Sequence, residues 1–453
     1  FFALDGMTVK GIEYTDEAIK NGAKVIVCDK SKNYINKNLT VIKCNDAIVL
    51  LGKFLNIFYA EKPKHIIGIT GTSGKTSVAE FTRQTIKILG KDSASIGTLG
   101  VNFEGSHLKE DTLTMRELVD LHEKLNYLKK EKNIDYVAME VTSQGIHQRR
   151  MEGVNIEIGA FNNISREHLD YHKTMAEYFN QKMRLFTEIL KEGSPVVLNA
   201  DIPEFEEVKK ICLSRNHKII SYGKNGDIKI KNIETHFNGQ TVVFEYQKEK
   251  YELKTPFIGK FQVMNLLATL AIIISLKIES DIKKIIKALE NIKQAEGRME
   301  LAGIKQNGAA IYIDFAHKPD ALKQVLETMR EHISNDKKAR IVVLFGCGGD
   351  RDKTKRPVMG KIAKELADIV FVTDDNPRTE DAAVIRSEIV AECPAAYNIG
   401  NRELAIKKAI DLLEPKDILI LAGKGHEKYT IIGKETYPFD EFEIVKQHLK
   451  QIK

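Results

Sequence analysis

A short glycine-rich segment has the residue types and spacing of a phosphate-binding loop. Its members are Gly71, Thr72, Ser73, Gly74, Lys75 and Thr76. The apolar run 65–70 precedes it and a helical pattern follows it, so the loop would lie between a strand and a helix N-terminus. Backbone N–H groups and the helix dipole would then hold the phosphates of ATP, Lys75 would add a positive charge, and Thr76 would offer a hydroxyl to Mg²⁺. Ile69 stands where the strict Walker pattern has glycine, so this is a variant phosphate loop.

Other polar residues follow apolar runs further along the chain. Glu140 lies near the end of the run 136–141, and the segments 346–352, 374–378 and 423–427 each follow a strand-like run. In a parallel sheet the carboxyl ends of the strands face the same ligand crevice. We therefore expect the three C-terminal segments to converge on one site. A single carboxylate such as Glu140 is, on these grounds alone, more often a capping or salt-bridged residue than a metal ligand.

Strand-like and helix-like segments alternate over most of the chain. Near-continuous apolar runs separated by helices predict an α/β fold whose parallel sheets are covered on both faces. We expect three domains, with the boundaries 1–63, 64–296 and 297–453. The first is predicted to be a truncated α/β domain and the second to contain a P-loop-type parallel sheet with an antiparallel hairpin at 241–254. The third is predicted to be Rossmann-like.

The composition narrows the classes of protein to consider. The 453 residues are 43% hydrophobic and 29% charged, with a net charge of +6 that is too small and dispersed to indicate nucleic-acid binding. No apolar run is long enough to cross a membrane and no signal peptide is evident, which predicts a cytoplasmic protein without membrane insertion. The five cysteines lack CxxC spacing and are predicted to be reduced thiols. We expect a monomer.

Taken together, the motifs resemble those of the Mur ligase superfamily over nearly the whole chain. Beside the phosphate loop, they are the segments 139–145, 162–172, 259–265, 297–300, 314–320, 375–378 and 423–427. Two positions depart from the family pattern. Thr114 is followed by Met115 and Arg116 where the family has a TTP-type turn, and Gln262 replaces an asparagine.

The resemblance implies an ATP- and magnesium-dependent amide ligase of peptidoglycan precursor synthesis. In this family an acid substrate is converted to an acyl phosphate before an amine displaces the phosphate. The implied substrates are UDP-MurNAc-L-Ala-D-Glu (UDP-N-acetylmuramoyl-L-Ala-D-Glu), ATP and a diamino acid. The implied catalytic residues are Lys75, Glu140, His168 and Lys182, the last as N6-carboxylysine. The implied magnesium ligands are Thr76, Glu140, His168 and Lys182.

The resemblance also implies three groups of binding residues. Those for ATP are the loop residues 71–76 with Asn265, Arg298, Asp314 and His317. Those for the UDP-linked substrate are Thr114, Thr142, Gln148 and Arg150, and the block 1–63 is the implied UDP-binding domain. Those for the amino acid are Arg351, Asp375, Asn376, Pro377, Arg378, Gly423 and Glu427.

The identity of the amino acid is expected to depend on Arg378. A guanidinium can bind a carboxylate through two parallel hydrogen bonds, and it would repel the ammonium of lysine. Arg351 could also serve a carboxylate, and Glu427 could hold the distal ammonium. This pattern favours a diamino diacid, either meso-diaminopimelate or a close analogue such as lanthionine. A single pocket would discriminate poorly between these two diacids. L-lysine as the substrate, a folylpolyglutamate synthase-like activity and a catalytically silent nucleotide-binding regulator remain alternatives.

Overall fold

The computed structural model describes residues 1–6, 9–32, 34–36, 38–103, 106–108, 114–236, 239–333 and 338–452. The chain forms two compact units. The first consists of residues 1–222 and 268–282, and the second of residues 223–267 and 283–453. None of the helices in the described ranges is long and apolar enough to cross a bilayer.

The elements up to residue 223 alternate between strands and helices. The strands are β1 (Val25–Asp29), β2 (Thr40–Cys44), β3 (His65–Thr70), β4 (Ser93–Gly97), β5 (Gly100–Phe103), β6 (Ser106–Leu108), β7 (Tyr136–Glu140), β8 (Ile158–Phe161), β9 (Pro195–Asn199) and β10 (Lys218–Gly223). The helices are α1 (Thr15–Lys20), α2 (Ala47–Phe58), α3 (Lys75–Ile88), α4 (Leu118–Lys130), α5 (Ser143–His147), α6 (Leu169–His172), α7 (Met175–Arg184) and α8 (Phe205–Leu213). A 3₁₀ turn (Gly11–Tyr14) precedes α1, and a π-helical turn (Leu185–Ile189) continues α7.

A mainly parallel sheet forms the centre of the first unit. Over residues 1–223 its strand order is β10-β9-β8-β3-β7-β4-β5-β6, parallel from β10 to β4 and antiparallel at β5 and β6. Strands β3, β7, β8 and β9 are almost wholly buried, as expected where helices cover both faces. Strand β3 pairs with β7 and β8, so the carboxyl ends of these three strands lie side by side.

The second half of the chain continues the alternation. The strands are β11 (Ile228–His236), β12 (Gly239–Tyr246), β13 (Glu249–Thr255), β14 (Arg298–Ile304), β15 (Ala310–Asp314), β16 (Ile341–Phe345), β17 (Ile369–Val372), β18 (Tyr397–Asn398), β19 (Ile418–Ala422), β20 (Tyr429–Ile432) and β21 (Glu435–Pro438). The helices are α9 (Lys260–Leu276), which contains residues of both units, α10 (Ile282–Glu290), α11 (Pro319–His332), α12 (Lys355–Leu366), α13 (Ala382–Val390), α14 (Arg402–Leu412) and α15 (Glu441–Gln451).

The main sheet of the second unit has the order β14-β15-β19-β16-β17-β18 and is parallel except at β14. One apolar cluster joins it to α11, α12 and α13, and another joins it to α14 and α15. Helices therefore pack on both faces, which is the doubly wound arrangement that the sequence predicts. Strands β15, β16 and β19 are buried along their whole length.

The α/β class is confirmed, and the predicted runs 65–70 and 136–141 agree with β3 and β7 to within a residue at each end. The predicted hairpin at 241–254 corresponds to β12 and β13. The strands that were not predicted are β2, β4 to β6, β8, β10, β11, β14, β18, β20 and β21, because their short or mixed residue patterns give little periodic signal. The division into three domains at 63/64 and 296/297 stays a prediction.

Candidate active site

The phosphate loop lies between β3 and α3 as predicted, and a side chain from a neighbouring strand end holds its tip. Gly74 precedes α3 with a φ of +82°, a left-handed conformation that suits glycine. Asn163 Oδ1, beyond the end of β8, accepts the N–H groups of Thr72 (3.1 Å) and Ser73 (2.9 Å), and its Nδ2 donates to the Ser73 carbonyl at 3.2 Å. The carboxamide therefore fixes the loop, and the N–H groups of the first turn of α3 are the donors suited to an anion.

Two lysines meet at one carbonyl of this loop. Lys75 Nζ donates to the Gly71 carbonyl at 3.0 Å, and Lys182 Nζ donates to the same carbonyl at 2.8 Å. Lys182 lies on α7, is 1% exposed, and has its ammonium 4.6 Å from the centre of the Tyr178 ring. Burial, followed by the charge of Lys75, lowers the pKa of Lys182 well below its usual value, although Glu167 acts in the opposite direction. These surroundings favour the neutral amine of Lys182.

Glu140 is held at the carboxyl end of β7, where it is 2% exposed. Its Oε1 accepts the backbone N–H of Thr98 at 2.7 Å, and the hydroxyl of Thr98 donates to that of Thr114 at 3.1 Å. Thr98 therefore links the predicted metal ligand Glu140 to the predicted substrate residue Thr114. No motif in the sequence points to Thr98, since its role depends on β4 pairing with β7.

Tyr178 connects the phosphate loop to the segment that carries His168. Its hydroxyl lies 3.1 Å from Thr72 Oγ1, and its ring centre lies 6.1 Å from that of His168. His168 precedes α6 with a φ of +56°, and its Nε2 is 3.8 Å from the carboxylate of Glu167. Because Lys182 Nζ also lies over the Tyr178 ring, two of the predicted catalytic residues are neighbours of one tyrosine. No sequence motif points to Tyr178.

The other residues predicted to bind the UDP-linked substrate lie around α5. Thr142 Oγ1 accepts a backbone N–H of α5 at 3.0 Å, so it caps that helix. Gln148 Nε2 donates to the Tyr171 hydroxyl at 3.2 Å. Arg150 donates to the Met115 carbonyl at 2.8 Å and thereby holds the segment that contains Thr114.

In the second unit, three residues predicted to bind ATP surround Phe315. The Arg298 guanidinium lies 4.9 Å from the centre of that ring, and the His317 ring lies 4.5 Å from it. Asp314 accepts two backbone N–H groups at 2.8 Å each. Burial raises the pKa of Asp314 to about 6 against the effect of Arg298, and burial lowers that of His317 to about 4. Near neutral pH this cluster therefore contains an anionic carboxylate and a neutral imidazole.

The fourth residue predicted to bind ATP in this unit, Asn265, is linked to the same cluster. Its Nδ2 donates to Gln262 Oε1 at 3.0 Å, and Gln262 Nε2 lies 3.5 Å from the carbonyl of Arg298. Gln262 is fully buried. The glutamine that departs from the family pattern therefore still provides a polar link between Asn265 and Arg298.

The loops after β16, β17 and β19 meet at the carboxyl edge of the second unit's sheet, as predicted. Asn376 Nδ2 donates to Glu427 Oε2 at 2.9 Å. Arg378, with a φ of +50°, donates through Nη1 to the Gly349 carbonyl at 2.9 Å. Burial, followed by the charge of Asp375, raises the pKa of Glu427. The Arg378 guanidinium and the Glu427 carboxylate therefore lie in loops that meet at the same edge of the sheet.

The remaining residues predicted to bind the amino acid lie at the same edge. A Cβ on Gly423 would lie 2.9 Å from Asp375 Oδ2, and one on Gly349 would lie 1.9 Å from the Pro377 carbonyl oxygen. The loops therefore approach more closely than side chains at these positions would allow. Arg351 differs from the others, because it is exposed and donates to the carbonyl of the preceding residue at 3.2 Å.

The described ranges contain no cluster of three or more His, Cys, Asp or Glu side chains that could hold a metal ion by itself. Magnesium does not require one, because it usually takes one or two protein carboxylates and completes its shell with water and phosphate oxygens. The carboxylate of Glu140 and the hydroxyl of Thr76, both largely buried, are donors of the hard oxygen type that Mg²⁺ prefers.

Two family models match most of the chain. The Mur ligase middle domain matches residues 69–273, and the Mur ligase glutamate ligase domain matches residues 297–425. A relative from Mesorhizobium japonicum, named UDP-N-acetylmuramoyl-L-alanyl-D-glutamate–2,6-diaminopimelate ligase, is 39% identical over 452 residues. The match covers 100% of this chain and 92% of the relative.

Solved structures agree with these matches. A structure of a UDP-N-acetylmuramoyl-L-alanyl-D-glutamate–2,6-diaminopimelate ligase superposes with a TM-score of 0.69 at 29% identity, covering 97% of this chain and 89% of that one. Mycobacterium tuberculosis folylpolyglutamate synthase complexed with ADP superposes with a TM-score of 0.67, covering 83% of this chain and 92% of that one. Its 16% identity indicates a likeness of fold alone.

Replacing Asn163 with alanine is expected to weaken ATP binding by about tenfold, because the N–H groups of Thr72 and Ser73 lose the acceptor that orders the loop before the ligand arrives. Isothermal titration of the purified variant with ATP measures the effect. The exposed residue Asn232, on β11, provides the matched control Asn232→Ala, which should bind as the wild type does. An Asn163→Ala protein that is folded and binds ATP with unchanged affinity would contradict the role of this carboxamide.

Proposed function

The chain belongs to the Mur ligase family, and we propose that it joins a diamino diacid to UDP-N-acetylmuramoyl-L-Ala-D-Glu at the expense of ATP. The relatives' names support this choice of substrates over those of other members of the family. The observation that carries the proposal is that Arg378 and Glu427 lie in loops that meet at one edge of the sheet, after β17 and β19. One end of a diamino diacid has the complementary charges, a carboxylate and an ammonium.

The reaction that we propose has two steps. A carboxylate oxygen of the D-Glu residue attacks the γ-phosphorus of ATP, the bond to the β-phosphate oxygen breaks, and ADP leaves. The amine of the diamino acid then attacks the carbonyl carbon of the acyl phosphate, inorganic phosphate leaves, and the nitrogen loses a proton as the amide forms. Phosphoryl transfer of this kind depends mainly on positioning and on neutralising charge, which are the roles that we assign to the loop residues 71–76 and to Lys75.

Magnesium fits the residues that surround the phosphate loop. Thr76 and Glu140 would supply oxygen ligands to the ion, which when bound would neutralise phosphate charge. His168 is proposed as a further ligand from the family resemblance, since imidazole is not the donor that Mg²⁺ prefers. Asn265, Arg298, Asp314 and His317 are proposed to bind the nucleotide, and Thr114, Thr142, Gln148 and Arg150 to bind the UDP-linked substrate.

Lys182 is proposed to carry a carbamate. An ammonium at this position is buried beside the ammonium of Lys75, which is an unfavourable arrangement of like charges. Addition of CO₂ to the neutral amine, with loss of one proton, would replace this repulsion by attraction. The new carboxylate would also give a hard oxygen donor to Mg²⁺.

Arg378 is proposed to select the diacid over L-lysine. Its guanidinium has five N–H donors, and the contact with the Gly349 carbonyl involves Nη1, so the group retains the capacity to bind a carboxylate. Asp375, Asn376, Pro377 and Gly423 would shape the pocket with Glu427, and Arg351 would act from its exposed position. We propose a monomer in the cytoplasm, where nucleotide-linked precursors and ATP are found, and the three-domain division given above.

Two alternative functions are less well supported. A folylpolyglutamate synthase-like ligase shares the fold, but the full-length relative at 39% identity has a different name and substrate. A silent nucleotide-binding regulator would not need Lys75, Lys182 and Glu140 to be positioned as they are.

Phosphate release with ATP, Mg²⁺, bicarbonate and UDP-MurNAc-L-Ala-D-Glu is expected only when meso-diaminopimelate or lanthionine is added. Arg378→Ala removes the charge-assisted pair between the guanidinium and the substrate carboxylate, so it should lower kcat/KM for the diacids by about 10- to 100-fold. The ratio of kcat/KM for the diacids to that for L-lysine should fall with it. Arg330→Ala, at an ion-paired surface position on α11, is the control and should behave as the wild type. Turnover of L-lysine alone would refute the diacid proposal, and no turnover of any amine would refute the ligase proposal.

Lys182→Ala is expected to abolish turnover, and formate or acetate at high concentration should restore part of it by supplying the missing carboxylate. Initial rates over a range of carboxylate concentrations measure this rescue. Lys75→Ala is the control, since a carboxylate cannot replace its ammonium. Full activity of Lys182→Ala, or equal rescue of both variants, would show that no carbamate is required.

A further inference from the structure

Lys424 is a fully buried lysine that none of the roles assigned above includes. It lies directly after β19, in the segment that also carries Glu427, and its side chain is 0% exposed. Its Nζ donates to Asn376 Oδ1 at 3.1 Å and to the Tyr429 carbonyl at 2.7 Å, and lies 5.5 Å from the centre of the Phe439 ring. A charged group is costly to bury, so a lysine in this position calls for a physical reason.

The contacts of Lys424 fix the orientation of the Asn376 carboxamide. An ammonium only donates hydrogen bonds, and the backbone N–H of Ile431 donates to the same oxygen at 3.0 Å. Two donors at one end of the amide require its oxygen there. The Nδ2 group must then point the other way, and it donates to Glu427 Oε2 at 2.9 Å. The chain of contacts runs from Lys424 through Asn376 to Glu427.

We propose that Lys424 is a positioning residue for recognition of the incoming diamino acid, acting through Asn376 to hold Glu427. This inference rests on the proposed function, because it assumes that Glu427 binds an ammonium of the substrate. With Oε2 held by the amide, Glu427 Oε1 is the oxygen that receives the ammonium. Burial lowers the pKa of Lys424, while the charges of Asp375 and Glu427 act in the opposite direction, and Lys424 in turn lowers the pKa of Glu427 against the effect of burial.

Replacing Lys424 with methionine tests this directly, because methionine is unbranched and of similar length but lacks the donor. Lys424→Met is expected to raise the KM for the diamino diacid by about tenfold or more, since a charge-assisted hydrogen bond and its orienting effect are lost. The KM values for ATP and for the UDP-linked substrate should stay within about twofold of the wild type. Lys434→Met, at an exposed position between β20 and β21, is the matched control and should change none of the three.

A double-mutant cycle with Glu427→Gln separates positioning from a general structural role. If Lys424 acts through Glu427, adding Lys424→Met to Glu427→Gln should change the KM for the diacid by less than about twofold. The proposal would be wrong if the double variant changed the KM for the diacid by the product of the two single effects. It would also be wrong if Lys424→Met lost affinity for all three substrates equally.

Hydrogen exchange provides a readout that does not depend on turnover. Lys424→Met and Asn376→Ala should each increase amide exchange in the peptide around Ile431, whose N–H loses a fixed acceptor, while Lys434→Met should not. If the wild type releases no phosphate with any diamino acid, the proposed function is wrong. The exchange data then test the contacts from Lys424 through Asn376 to Glu427 without reference to activity. Unchanged exchange in Lys424→Met would overturn the positioning role whatever the activity of the wild type.

Discussion

The carboxyl ends of parallel strands must lie at one edge of a sheet, and the chemistry of this chain depends on that constraint. In the first unit it places the phosphate loop after β3 beside Glu140 of β7 and Asn163 after β8. In the second it gathers the loops after β16, β17 and β19, which are far apart in sequence. The buried apolar strands supply the stability, so the loops are free to be glycine-rich and polar.

Each unit also contains a buried lysine whose side chain is held by neighbouring polar groups. Lys182 shares the Gly71 carbonyl with Lys75, and Lys424 lies beside Asn376, close to Glu427. Desolvation makes each ammonium unfavourable unless a partner stabilises it. The two sites differ in what the partners do. Burial lowers the pKa of both lysines. Around Lys182 the charge of Lys75 adds to this effect and favours the neutral amine that carbamylation requires, whereas around Lys424 the carboxylates of Asp375 and Glu427 act in the opposite direction.

Much of this arrangement could be predicted from the sequence, because strands such as β3 and β19 are continuous apolar runs followed by distinctive polar segments. The apolar pattern predicts the main buried strands of both sheets, and the family resemblance implies roles for the residues in the loops. Contacts that depend on tertiary pairing could not be predicted in this way. Thr98 meets Glu140 only because β4 pairs with β7, and Tyr178 reaches Thr72 only through the position of α7. Asn163 and Lys424 stood within recognised motifs, but only the structure gives their hydrogen-bond partners.

In the proposed reaction the D-Glu carboxylate is activated as an acyl phosphate before the amine attacks. Labelling that carboxylate of UDP-MurNAc-L-Ala-D-Glu with oxygen-18 and analysing the released phosphate by mass spectrometry tests it most directly. The two-step route predicts that each phosphate carries one labelled oxygen, because the oxygen that attacked ATP leaves with the phosphorus. Phosphate that contains no label, formed together with the amide product, would contradict the account.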